Sequence, residues 1–368
     1  MKMIIHQIRT PVKREGAGRY LMVTLISFAV SVIVTRVFLQ VTNYPQLAWG
    51  EIHIAHLLFG GFFLFVAALL PLVLSNRSVF VISAVLSGAG VGLFIDEVGK
   101  FITQANDYFY PPAMPIIYAF FLLVTLIYFQ VRKMPRKDAR AELYRSFDSL
   151  SEILDYDLEP HELVSLKRRL KYVSQKNDSP AYAELAKKLL KFLDSKDLKL
   201  VPQKHNLFTR LVSRLEKSEE EFVGRSFYKA ALVLWLTTSG AIAIGDLVRS
   251  FTAFFSSEAL FALASRLVSS GVLVSDASIY WFLVRLVLEA LVGISLIVSA
   301  FLLAKGAEKT GISIAYYGIL LSLTTVNLLV FYFDQTRAFF STLGQLTLFL
   351  LIIHFRHRFL VLQEIAPE

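Results

Sequence analysis

The segment GEIHIAHLLFGG, Gly50 to Gly61, places Glu51, His53 and His56 at the mouth of an apolar run. A second segment, SGAGVGLFIDEVGKFI (Ser87–Ile102), carries Asp96, Glu97 and Lys100 behind a string of glycines. Two histidines and a carboxylate are a common ligand set for zinc or iron, with a position left open for water. The same residues also suit a proton or ion pathway, because histidine titrates near neutrality and ionisable groups inside a membrane mark such routes. They suit buried polar contact as well, with Asp96 and Lys100 as an i,i+4 pair and Glu97 on a histidine. Read as helix, Trp49, His53, His56 and Gly60 share one stripe, and Gly88, Gly92, Asp96 and Lys100 share another.

These stripes need elements to hold them, and the composition says which. The chain has 368 residues, 55% of them hydrophobic, with a mean hydropathy of +0.56. Apolar runs long enough to cross a bilayer recur at both ends. Eight are expected, near 20–41, 52–74, 79–103, 114–131, 227–249, 279–304, 311–333 and 340–355. The fold class is therefore all-α, a polytopic transmembrane helix bundle. A charged block interrupts it, so the chain divides into an N-terminal membrane half (1–131), a helical insert (132–225) and a C-terminal membrane half (226–368). The short Ser-rich piece 258–274, with Arg266 near its middle, reads as interfacial or re-entrant.

Lys and Arg set the orientation. The basic N-terminus, Arg77, VRKMPRK (Val131–Lys137), KGAEK (Lys305–Lys309) and HFRHR (His354–Arg358) fall on one side of an eight-span count. That side is expected to be the cytoplasm of a bacterial plasma membrane, with both termini inside. The net charge of +9 then reflects basic loops, not a nucleic-acid partner. The first run is longer than a signal-peptide core and no small-x-small site follows, so an uncleaved span is expected. The absence of cysteine excludes disulfides, thiolate metal sites and Cys nucleophiles.

In the insert, LEPHELVSLKRRLKYV predicts a helix opening at Pro160. SPAYAELAKKLLKFL predicts another, with Ser179 as N-cap, Pro180 in the first turn and Leu185, Leu189 and Phe192 on one face. HNLFTRLVSRLEKSEEEF predicts a third. Between the membrane halves, HLLFGG and EALVGI align Glu289 with His56 and Gly293 with Gly60, which suggests a four-plus-four duplication.

The second and third spans are expected to close on Gly60, Gly88 and Gly92, since small residues let helix backbones approach. That contact would bring His53 and His56 level with Asp96, Glu97 and Lys100. In the other half, Arg285 and Glu289 form an i,i+4 pair. With Asn327, and with Glu51 on the other side, they are candidates for lining the same cavity as His56.

The pairing of HIAHLLFG with GLFIDEVGKF and NDYFY resembles a group of uncharacterised bacterial integral membrane proteins. Those proteins have a His-rich span start and an Asp-Glu near the end of the next span. The resemblance covers about a quarter of the chain, judged against span length, and implies no activity. The motif's extra histidine is Ala55 here. Alkaline ceramidases and adiponectin-type receptors also combine His and Asp on spans, but the spacing of His354 and His357 differs from theirs. The expected topology also puts that pair about 30 Å from His53 and His56, and it reads instead as part of a basic interfacial anchor. No Walker loop, G-x-S-x-G elbow, H-E-x-x-H or EF-hand loop occurs.

Two classes of function follow, with a third beside them. One is a metal-dependent hydrolase or transferase acting on a lipid-linked substrate. In it His53, His56 and Asp96 hold a divalent ion such as zinc, Glu97 is the general base and Lys100 steadies an anionic headgroup. Another is a transporter or channel in which the cluster carries protons or cations for a small ionic substrate. The third is a non-catalytic assembly protein acting through the insert.

Overall fold

In the computed structural model, residues 11–42, 48–49, 52–53, 56–104, 110–133, 138–176, 180–194, 224–253, 265 and 276–361 are described. Eight of their helices are long and apolar enough to cross a membrane, as the spacing of apolar runs predicts. The protein is an integral membrane helix bundle. Side chains such as Leu72, Val73, Phe62 and Phe65 are well exposed in the chain itself and form its lipid-facing surface. By packing, the chain forms two compact units, Met1–Val98 with Phe120–Leu207, and Gly99–Ala119 with Phe208–Glu368.

The first unit holds spans α1 (Ala17–Val41), α2 (His56–Val73) and α3 (Arg77–Asp96). It also takes the greater part of α5 (Ala113–Arg132), which follows the short α4 (Val98–Ile102). Helix α3 is the hub, and its glycines work on two faces. A Cβ on Gly88 would collide with the Thr24 carbonyl of α1, and one on Gly92 would lie 2.8 Å from Ser31 Cβ. On the other face Gly90 meets Gly60 of α2, where a Cβ on either would lie 2.8 Å from the other's carbonyl oxygen. Close approach lets α1 hydroxyls reach α3 carbonyls: Ser27 donates to Val85 O at 2.7 Å and Ser31 to Ala89 O at 3.1 Å. Ser83 likewise donates to Ala67 O of α2 at 2.6 Å. The expected contact of Gly60 with Gly88 and Gly92 is thus corrected to Gly60 with Gly90. Residues four apart share a helix face and residue 90 lies between them on another.

Helices α6 (Ala139–Leu154), α7 (Pro160–Ser174) and α8 (Pro180–Leu193) complete this unit. Asp138 caps α6 by accepting from the Ala141 N–H at 3.3 Å. Pro160 opens α7, and the Glu162 carboxylate reaches back to the Glu159 N–H at 3.1 Å. Leu143, Leu166, Leu170, Val173, Ala186 and Leu193 form the core of the three helices. On α8 the inward face is Ala186 and Leu193 with Leu189 and Leu190 beside them, whereas Leu185 and Phe192 are exposed. Ser179 and the third expected helix, 205–222, lie outside the described residues, as does nearly all of 258–274. Leu170 is wholly buried, so Leu170→Ala is expected to cost about 2–5 kcal/mol. Thermal unfolding of the purified protein, followed by circular dichroism, checks this.

The three helices are tied to the spans of their unit by ion pairs. Arg77, at the start of α3, pairs with buried Glu152 and lies 3.4 Å from Glu162. Asn76 donates to Asp155 at 3.0 Å, and Arg169 pairs with Glu15 at 2.8 Å.

In the second unit α10 (Asp276–Ala304) is the hub. It packs against α9 (Arg225–Ala253) through Gly293 and Gly240, where a Cβ on Gly240 would lie 2.6 Å from Gly293 O. It also packs against α11 (Glu308–Leu321), where Ser299 donates to Gly311 O at 2.8 Å. The next span continues through a π-helical segment, Ser322–Val326, into α12 (Asn327–Phe333). The last span is α13 (Gln335–Phe355), followed by a second π segment, Arg356–Val361. The aligned glycines therefore differ in packing: Gly60 meets the span that follows it and Gly293 the span that precedes it.

Candidate functional site

The chain reverses between α1 and α2 through two paired strands, β1 (Ala48–Trp49) and β2 (Ile52–His53), in antiparallel register Ala48↔His53 and Trp49↔Ile52. Trp49 and His53 therefore do not continue a helical stripe to His56, where α2 begins. The aromatic and β-branched residues here favour extended backbone. Glu51 lies outside the described residues. Helix α3 ends at Asp96, and Glu97 forms the turn before α4, so Lys100 stands past a break rather than on the Asp96 stripe.

Three spans meet at this end of the first unit, and His56 is at the centre. Its Nδ1 lies 2.8 Å from Glu97 Oε1 and its Nε2 lies 3.4 Å from Asp96 Oδ2. Arg36 of α1 completes the group, with its Nε donating to Asp96 Oδ1 at 2.6 Å. Asp96 is fully buried and Glu97 is 1% exposed, while the His56 and Arg36 side chains keep 20% and 22% exposure. Consecutive helical residues point about 100° apart; the turn at Glu97 is what lets both neighbours address one imidazole.

With both carboxylates ionised, the charges of these four side chains balance only when His56 is protonated. An imidazolium donates from both nitrogens and, with Arg36, offsets both carboxylates. A neutral imidazole leaves one nitrogen facing an oxygen with no proton between them and the quartet one charge negative. This arrangement suits proton exchange better than metal ligation. The two ring nitrogens point at different carboxylates, so no single point lies in front of a nitrogen lone pair and both oxygens. Arg36 takes the place at Asp96 that a cation would need. Among the described residues no group of three or more His, Cys, Asp or Glu is set to hold a metal ion.

Arg36 is absent from the sequence candidates. Its signal was available, an arginine inside the apolar run SVIVTRVFLQV.

The second unit has its own polar interior. Arg285 Nε lies 3.3 Å from Glu289 Oε2, both side chains buried. Asn327, fully buried, donates its Nδ2 to Thr342 Oγ1 and Gln345 Oε1 of α13, both at 2.9 Å. Arg337 pairs with Asp246 of α9. Glu289 and Asn327 line a cavity of about 190 Å³ built within this unit. His354 stacks near Tyr228, with ring centroids 5.4 Å apart.

The fold and these clusters define the class: a polytopic membrane protein with ionisable groups buried inside its spans. The chain matches no protein-family model, and no match to it was found among curated proteins or among solved structures.

Proposed function

We propose that this protein is a proton-coupled transporter of the bacterial plasma membrane, with Arg36, His56, Asp96 and Glu97 as its proton-exchanging group. The observation that carries this reading is His56 held between two buried carboxylates on one side and partial exposure on the other. Ionisable groups in a membrane span are costly and serve as relays when they can pass protons. His56 transfers Nδ1–H to Glu97 or Nε2–H to Asp96, which leaves neutral imidazole and a carboxylic acid with total charge unchanged. Loss of a proton from His56 to water takes the quartet from neutral to one negative charge, and Arg36 holds that charge in place. On the orientation set by the basic segments, the quartet faces the outside.

A metal-dependent hydrolase draws on His53 and His56 as one helical pair, whereas His53 lies in β2 and His56 opens α2. The transporter reading is tested in proteoliposomes that carry a pH dye in the lumen and an imposed membrane potential. The wild type is expected to move protons. His56→Gln, which cannot titrate, and His56→Lys, which keeps the charge, are expected to lose at least about tenfold in rate. Their elution profiles in detergent should stay unchanged. Equal rates in all three proteins would overturn the reading, as would no proton movement by the folded wild type.

A further inference from the structure

The cavity of the second unit lies among α9, α10, the π-containing span and α13. Its polar lining has a bias. Asn327 Oδ1 is a buried acceptor with no hydrogen bond, and Glu289 Oε2 accepts none either, its one charged neighbour among the described residues being Arg285 Nε at 3.3 Å. Arg337 is committed to Asp246, and the Asn327 amide N–H groups are spent on Thr342 and Gln345. A buried acceptor without a donor destabilises the folded state, and a donor brought by a ligand recovers that.

The π segment makes the arrangement. Residues five apart on an α-helix stand about 140° apart around its axis. Here the Asn327 N–H bonds to Ser322 O, an i to i+5 turn that brings both residues to the cavity wall. Such π turns frequently occur at functional sites. The Tyr118 hydroxyl donates to Leu323 O at 2.5 Å and satisfies one carbonyl of that turn. The rest of the wall is largely apolar, including Trp235, Ile242, Val292 and Leu296. A bare alkali ion would leave that surface in contact with water only. A cavity of about 150 Å³ holds benzene, so about 190 Å³ takes a ligand of that size with a polar head.

We propose that this cavity binds a small protonated amine with a short hydrocarbon or aryl substituent. The ammonium donates to Glu289 Oε2 and Asn327 Oδ1, and the substituent packs on the apolar wall. Arg285 Nε stays 3.3 Å from the same Glu289 oxygen, which has a second lone pair for the ammonium. The proposal goes beyond the proton exchange assigned to the first unit and does not depend on it.

The test is binding of n-butylammonium and benzylammonium to the full-length protein in detergent, by calorimetry. Tetramethylammonium, which has no N–H donor, is the control. Saturable binding of the two primary amines is expected, with none for the control. Gly344→Leu fills the cavity from a position where an added Cβ meets nothing within 4 Å, and should weaken binding by at least about tenfold with the fold intact. Glu289→Gln should weaken it similarly, and His56→Gln should leave it unchanged. No saturable binding to the wild type, as for a cavity that holds water only, would overturn the proposal. So would equal binding to the Gly344→Leu protein. Binding that survives in a His56→Gln protein without proton flux leaves this site standing on its own.

Discussion

Replacing Arg36 by methionine is expected to destabilise the folded protein by about 3–5 kcal/mol, the cost of stranding a buried charge. Asp96 has no exposure and Glu97 almost none, and they are neighbours in sequence. Without the guanidinium, Asp96 loses the charge that its Oδ1 faces at 2.6 Å. The double variant Arg36→Met/Asp96→Asn should recover much of the loss, because it removes charge from both sides of the pair. Thermal unfolding in one detergent, compared across the wild type, the single variant and the double variant, measures this. Additive losses in the double variant would show that Arg36 and Asp96 do not act as a pair.

The second large effect lies in the glycines of α3. Gly88→Ala puts a methyl group against the Thr24 carbonyl and within 2.7 Å of Ser27 Cβ, and neither backbone can yield without separating α1 from α3. Overpacking of this kind typically costs about 1–3 kcal/mol, more where backbone must move. It would also break the bonds from Ser27 and Ser31 to α3. Gly61→Ala is the matched comparison. Its Cβ meets nothing within 4 Å, so the substitution is expected to be neutral or to stabilise by up to about 1 kcal/mol through helix propensity. Melting temperatures that fall equally for both would contradict the close contact.

The spans were legible because runs of apolar residues of bilayer length have few other readings. Pro160 and Pro180 also announced their helices correctly. What the sequence hid was orientation about the helix axis. Gly88, Gly90 and Gly92 look like one small-residue patch in sequence, but they serve two different neighbours. Leu185 and Phe192 have helical spacing, yet the buried face is set by Ala186 and Leu193. Helix α6 was also overlooked, although Asp138 followed by Leu143, Leu150 and Ile153 carries a cap and an apolar stripe.

The candidate site was half legible. His56, Asp96 and Glu97 come together, because a histidine at one span start and a carboxylate pair at the next span end must lie at the same level in an antiparallel pair. Arg36 falls outside the sequence candidates because its run reads only as an uncleaved span, and the i,i+3 spacing of His53 and His56 means proximity only where the backbone is helical, whereas His53 lies in β2. Glu289 and Asn327 share a cavity through a π turn that no residue pattern announces.

On the transporter reading, His56 and its carboxylates exchange a proton with water. The transient current that follows a pH jump across proteoliposomes adsorbed on a solid-supported membrane reads that exchange. The wild type and Glu289→Gln are expected to give a charge displacement, and His56→Gln and His56→Lys to give none above empty liposomes. A displacement of wild-type size in the folded His56→Gln protein would contradict the account.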